Sequence, residues 1–145
     1  MIIDSNLVLM DSSPVLGAAV TGNAVPLTSF LKPGREEPIP ICAKVVGTDF
    51  AGGTSITFKL TQCATSDGTY TDVPGSSVTV ALADLTVGKS IGWRFLPRGV
   101  TAPWLKMVAT PTGTFTAGKV FGAVVREDAL PYEAGMFIDK GVVKG

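Results

Sequence analysis

The chain has 145 residues, 12 Lys and Arg balanced by 12 Asp and Glu, two Cys and no His. Lack of imidazole excludes Ser-His-Asp and Cys-His nucleophiles and His-bearing zinc or iron sites, and zero net charge argues against nucleic-acid binding. Hydrophobic residues at 46% against charged residues at 17% describe a folded chain.

The first segment, residues 1–20, reads as an arm carrying a first strand. It sets Met1, Ile2, Ile3, Leu7 and Leu9 among Asp4, Asp11 and Pro14. No basic stretch precedes an apolar one, so no signal peptide is expected, and no apolar run approaches the roughly 20 residues of a membrane span. A loop at Pro33–Pro38 holds Arg35, Glu36 and Glu37. Ile39 to Val46 is continuously apolar and predicts a central strand buried on both faces. Ser55–Thr61 alternates strictly, with Ile56, Phe58 and Leu60 on the inner face, and predicts a half-buried antiparallel strand. After the Ser66-Asp67-Gly68 turn and the Val73-Pro74-Gly75 break, Val78, Val80 and Leu82 repeat that period. Strands are also predicted at Trp93–Leu96 and at Trp104–Ala109, the second with Leu105, Met107 and Ala109 sharing one face. Lys119–Val125 predicts another central strand. Residues 128–145 then place Tyr132, Met136, Phe137 and Ile138 among Pro131, Gly135 and Gly141. With 17 Gly and 10 Pro, long helices have little room. The expected fold is all-β: one domain over residues 1–145, an antiparallel β-sandwich of about eight strands, with extended terminal segments.

Candidate chemistry is sparse. Ala83 to Ser90 satisfies a relaxed phosphate-loop pattern, ending Gly88-Lys89-Ser90. That chemistry needs a glycine-rich loop opening a long helix, whereas Ile91 to Pro97 reads as a strand, so an ordinary turn is expected. Glu36 and Glu37 are adjacent, and Glu127 and Asp128 end a strand beside Arg126; neither pair is set up for acid–base work. Asp67-Gly68 lacks the remaining ligands of a calcium loop. Cys42 and Cys63 have no CxxC spacing and are expected as reduced, buried thiols. Trp93, Arg94, Phe95, Arg98 and Trp104 cluster in sequence and could stack on a ligand, but a core role is expected for the indoles. The expectation is a binding or structural module that is not an enzyme and uses no cofactor or metal.

Three stretches carry a family resemblance. They are Met1 to Asp11, Leu60 to Gly68 with its Ser-Asp-Gly turn, and Phe95 to Val100 followed by Trp104–Met107 and Gly113-Thr114-Phe115-Thr116-Ala117-Gly118-Lys119-Val120. In this order they resemble the small jelly-roll capsid cement, or head-decoration, proteins of tailed bacteriophages. Trp104, where a Tyr is expected, and Cys63, where a small polar residue is expected, depart from the pattern. The resemblance implies a structural virion protein, made in the host cytoplasm, that binds the outer surface of the assembled capsid and stabilises it. It implies the major capsid protein and a second copy of the chain as partners, in a homodimer or other small symmetric oligomer. Nucleic acid, membrane and small-molecule substrate are not expected partners. Capsid or self contacts are expected from Met1, Ile2, Ile3, Leu7 and Leu9, from Arg35, Glu36 and Glu37, and from Tyr132, Met136, Phe137 and Ile138. The alternative is a carbohydrate- or receptor-binding module of a phage tail or head fibre.

Overall fold

The computed structural model describes residues 5–27 and 39–125. Among the described residues nine strands follow in chain order: β1 (Val8–Pro14), β2 (Val20–Thr21), β3 (Val25–Pro26), β4 (Ile41–Ala51), β5 (Ser55–Cys63), β6 (Thr71–Asp72), β7 (Val78–Ala81), β8 (Trp104–Thr112) and β9 (Ala117–Val124). They form two antiparallel sheets. One has three strands in the order β1-β9-β4. The other has six, built on β2-β8-β5-β6, with β3 also pairing β8 and β7 also pairing β5. Helical structure among the described residues is limited to 3₁₀ turns at Ser5–Leu7 and Leu82–Asp84. The expected antiparallel sandwich is the fold observed.

The period-two pattern places the core. On β5, Ile56, Phe58 and Leu60 are fully buried, as are Leu105, Met107 and Ala109 on β8. These two strands pair without a break from Ser55↔Thr112 to Cys63↔Trp104. Leu9 on β1, Ile41, Ala43 and Val45 on β4, and Val120 and Val124 on β9 meet them from the other sheet in one cluster. Each fully buried aliphatic or Phe side chain contributes about 1.5–3 kcal/mol. Phe50 and Phe115 close one end edge-to-face, with centroids 5.3 Å apart and planes at 85°. Gly118 has φ +123°, and a Cβ there would land on the Phe50 ring, so that corner requires glycine.

Trp93–Leu96 corrects the sequence reading. It is not a strand but part of an irregular strap along the open edge of β4, with isolated bridges at Lys44↔Ser90 and Pro40↔Phe95. Ile91 N–H donates to the Ala43 carbonyl (2.8 Å), Ile41 N–H to that of Arg94 (3.0 Å) and Leu96 N–H to that of Ile39 (2.9 Å). The cause is Gly92, whose φ of +59° breaks the extended run. Ile91 and Leu96 therefore turn inward, at 1% and 4% exposure, while Phe95 is left out at 41%. Trp93 is half-buried, its indole N–H donating to the Ser76 carbonyl at 2.8 Å. Val78, Val80 and Leu82 keep the predicted alternation but are only half-buried, since β7 borders β5 at the margin of its sheet.

Candidate binding surfaces

The outer face of the six-stranded sheet is polar. Thr57, Lys59 and Thr61 of β5 lie beside Thr110, Val108 and Lys106 of β8. The Thr57 and Thr79 hydroxyls are 2.9 Å apart. Lys59 Nζ sits 2.9 Å from Asp72 Oδ1, with side chains 34% and 64% exposed, so the pair contributes well under ~1 kcal/mol. Lys106 Nζ stands 4.2 Å from the Tyr70 ring centroid, and the Tyr70 hydroxyl donates to the Ser66 carbonyl at 2.8 Å. Burial first, then Cys63 and Asp67, raises the Tyr70 pKa.

A gap in the edge pairing gives this face a groove. β7 pairs β5 over Ser55–Phe58, and β6 pairs it at Thr61 and Gln62. Between them Leu60 is served by a side chain and a loop. Its N–H donates to Ser76 Oγ (3.1 Å), Ser76 Oγ donates back to its carbonyl (3.2 Å), and Val73 N–H donates to the same carbonyl (2.9 Å). Loop 73–77, with Thr57, Lys59, Asp72 and Thr110, lines an open groove of about 590 Å³. Hydroxyls, one ammonium and one carboxylate can hydrogen-bond a polar ligand or a loop of a partner protein.

Gln62 fixes the neighbouring loop and was not singled out from sequence. It is 8% exposed. Its Nε2 donates to the Gly99 carbonyl (3.0 Å), and its Oε1 accepts from Thr101 N–H (2.7 Å) and Ala102 N–H (3.1 Å). The only sequence signal is that Gln62 continues the inner positions Ile56, Phe58 and Leu60, where a polar residue must bring its own partners.

The outer face of the three-stranded sheet differs in character. Val8 and Cys42 both lie opposite Ala123, and Phe121 lies opposite Lys44. Cys42, Ala123 and Val125 are buried at 4%, 0% and 1%, with Val8 and Phe121 packed against them. Burial raises the Cys42 thiol pKa, opposed in part by Lys44. Cys63, at the end of β5, is half-buried, and both thiols are free.

Of the residues expected at contacts, Leu7 and Leu9 are corrected: they are 7% and 0% exposed within the core. The register shift between Val8 and Met10 turns both Leu9 and Met10 inward, so the leucines fill the sandwich and are not offered outward. Met1, Ile2 and Ile3, then Arg35, Glu36 and Glu37, and Tyr132, Met136, Phe137 and Ile138 lie outside the described residues. Lys89, of the phosphate-loop pattern, lies 3.7 Å from Asp84, in the turn expected and with no helix following. Asp67-Gly68 turns β5 into β6. Trp104 is half-buried at the start of β8, so neither indole is a fully buried core residue nor a fully exposed platform.

A family model described as Bbp16 matches residues 9–125. That match spans both sheets, and the chain belongs to this phage-derived family. The search of curated proteins gave no match.

Proposed function

We propose that this member of the Bbp16 family is a structural, non-catalytic virion protein that binds the outer surface of the assembled phage capsid and stabilises it. One observation carries the reading: membership of a phage-derived family extends through the whole sandwich, residues 9–125, whose segment order resembles that of capsid cement proteins. The partners in this reading are the major capsid protein and further copies of the chain. Many copies on a repeating lattice turn modest affinity per site into stable decoration. A closed homo-oligomer suits the local symmetry axes of a shell. Zero net charge limits repulsion between crowded copies.

Purified protein mixed with empty, expanded heads that lack it tests the proposal. Saturable co-sedimentation at a fixed ratio to the major capsid protein, with raised survival of the heads on heating, is the expected result. Absence of binding overturns it. The groove beside Lys59 and Asp72 favours a second reading, a glycan- or receptor-binding module. A glycan screen giving binding that is lost in Thr57→Val and Lys59→Met would favour that reading instead.

A further inference from the structure

We propose that the outward side of the strap beside β4, which carries Arg94, Phe95 and Arg98, docks an acidic segment of a partner protein, with Phe95 as the apolar anchor. Taking the capsid shell as that partner rests on the function proposed above. The chemistry of the segment, carboxylates around an apolar side chain, is read from the strap itself.

Charge is the first observation. The chain is neutral as a whole, yet from Leu85 to Val125 it holds Lys89, Arg94, Arg98, Lys106 and Lys119 with no Asp or Glu. Lys89 lies 3.7 Å from Asp84, Lys106 sits over the Tyr70 ring, and Lys119 stands on β9 opposite Val46. Arg94 and Arg98 are exposed on the strap. Among the described residues their side chains have neither a hydrogen-bond nor an ion-pair partner. A guanidinium presents a planar fork that matches a carboxylate with two parallel hydrogen bonds.

Phe95 is the second. It is 41% exposed, while Ile91, Leu96 and Val100 of the same strap are buried. Across its isolated bridge stands buried Pro40, whose carbonyl accepts from Val125 N–H at 3.0 Å. The ring thus lies at the rim of an apolar row, with a free cation on either side in sequence. An exposed aromatic among arginines is the composition of an interface anchor.

The strap also holds these side chains in place. Ile41 N–H donates to the Arg94 carbonyl (3.0 Å) and Leu96 N–H to that of Ile39 (2.9 Å), one on each side of Phe95. Val100 N–H closes the next turn on the Pro97 carbonyl at 3.1 Å, and Gln62 clamps its far end through Gly99, Thr101 and Ala102. A backbone fixed in this way loses little freedom on docking. Nucleic acid is the less favoured ligand, because binding of the phosphate backbone relies on many cations and Lys89 and Lys106 are engaged elsewhere.

Co-sedimentation isotherms of the full-length chain with nuclease-treated, empty, expanded heads test the proposal. Combined Arg94→Glu and Arg98→Glu is expected to weaken binding by about tenfold or more, and Phe95→Ser by about fivefold. Combined Lys106→Glu and Lys119→Glu makes the same change in net charge elsewhere and is expected to leave binding unchanged. Binding by the unmodified chain is expected to weaken as NaCl is raised, and binding by the Arg variant to respond less. If circular dichroism shows that the Glu variant has lost its sheet signal, Arg94→Gln with Arg98→Gln takes its place. Strap variants that bind as well as the unmodified chain overturn this inference and leave the capsid reading standing. Heads that fail to bind the unmodified chain overturn both. The inference also fails if the Lys pair matters as much as the Arg pair. It fails again if a DNA oligonucleotide binds in an Arg94- and Arg98-dependent manner, or if the Arg variant instead dissociates an oligomer seen in sedimentation velocity, since the occupant is then nucleic acid or a second copy.

Discussion

The two outer faces of this sandwich share a scaffold and differ in what they present. Behind β5 and β8 stand Thr57, Lys59, Thr110 and Lys106, partnered by Thr79, Asp72 and Tyr70. Behind β4 and β9 stand Cys42, Phe121, Ala123 and Val125, much of it out of contact with water. Alternating strands leave one sheet face polar when it meets solvent, whereas a strand apolar on both faces signals a second layer of protein. The contrast separates a polar outer face from an apolar one.

Substitutions can break or sharpen that contrast. The largest effect is expected from Ala123→Asp, which places a charge in the buried outer row and should cost roughly 3–5 kcal/mol in chemical denaturation. The matching Thr110→Asp on the polar face should stay within about 0.5 kcal/mol. Equal costs would erase the distinction between the faces. Next comes Gln62→Leu, which strips partners from the Gly99 carbonyl and from the Thr101 and Ala102 N–H groups. A loss of about 2–3 kcal/mol is expected, with hydrogen exchange rising first at residues 99–102.

Cys42→Ser should cost about 1 kcal/mol by burying a hydroxyl among apolar side chains. The same thiol gives a pH signature. Its folded pKa lies above the usual 9.0, so the fold favours the neutral form. Its contribution is therefore complete below about pH 9 and is lost as pH rises through the raised value. Cys42→Ala should flatten the part of the alkaline stability loss that this thiol causes, as read from denaturant midpoints between pH 8 and 11. The smallest effect is expected from Lys59→Met, which breaks a largely exposed ion pair and should change stability by no more than about 0.5 kcal/mol. The same substitution serves as a nearly silent probe of the groove in binding assays.

The sandwich was legible wherever one face of a strand is wet. Ile56-x-Phe58-x-Leu60 and Leu105-x-Met107-x-Ala109 declare their inner faces by period alone, and both are fully buried. Legibility failed where a single residue resets the period. Gly92 turned Trp93–Leu96 from an expected strand into a strap, and the shift after Val8 put two consecutive residues of β1 inside. A left-handed glycine or a bulge is a choice made by tertiary packing, and local pattern does not encode it. The groove was equally hidden. It exists because β6 and β7 serve one strand edge with a five-residue interruption, 73–77, which Ser76 repairs from a distance in sequence. The apolar outer face was visible in part, because Ile39–Val46 and Lys119–Val125 read as buried on both sides.

The strap beside β4 settles how far the sheet can grow. It takes up the hydrogen bonds of Ile41, Ala43 and Ile39 one at a time, with Gly92 in the middle. A regular strand there would satisfy the same groups and then offer its own far side as a template for another chain. An irregular strap cannot be copied in that way. On the opposite side, β1 interrupts its own ladder with two register shifts, Ser12 at φ +50° and Pro14 at its end. Both margins of the three-stranded sheet are therefore poor templates for the addition of a strand from another chain.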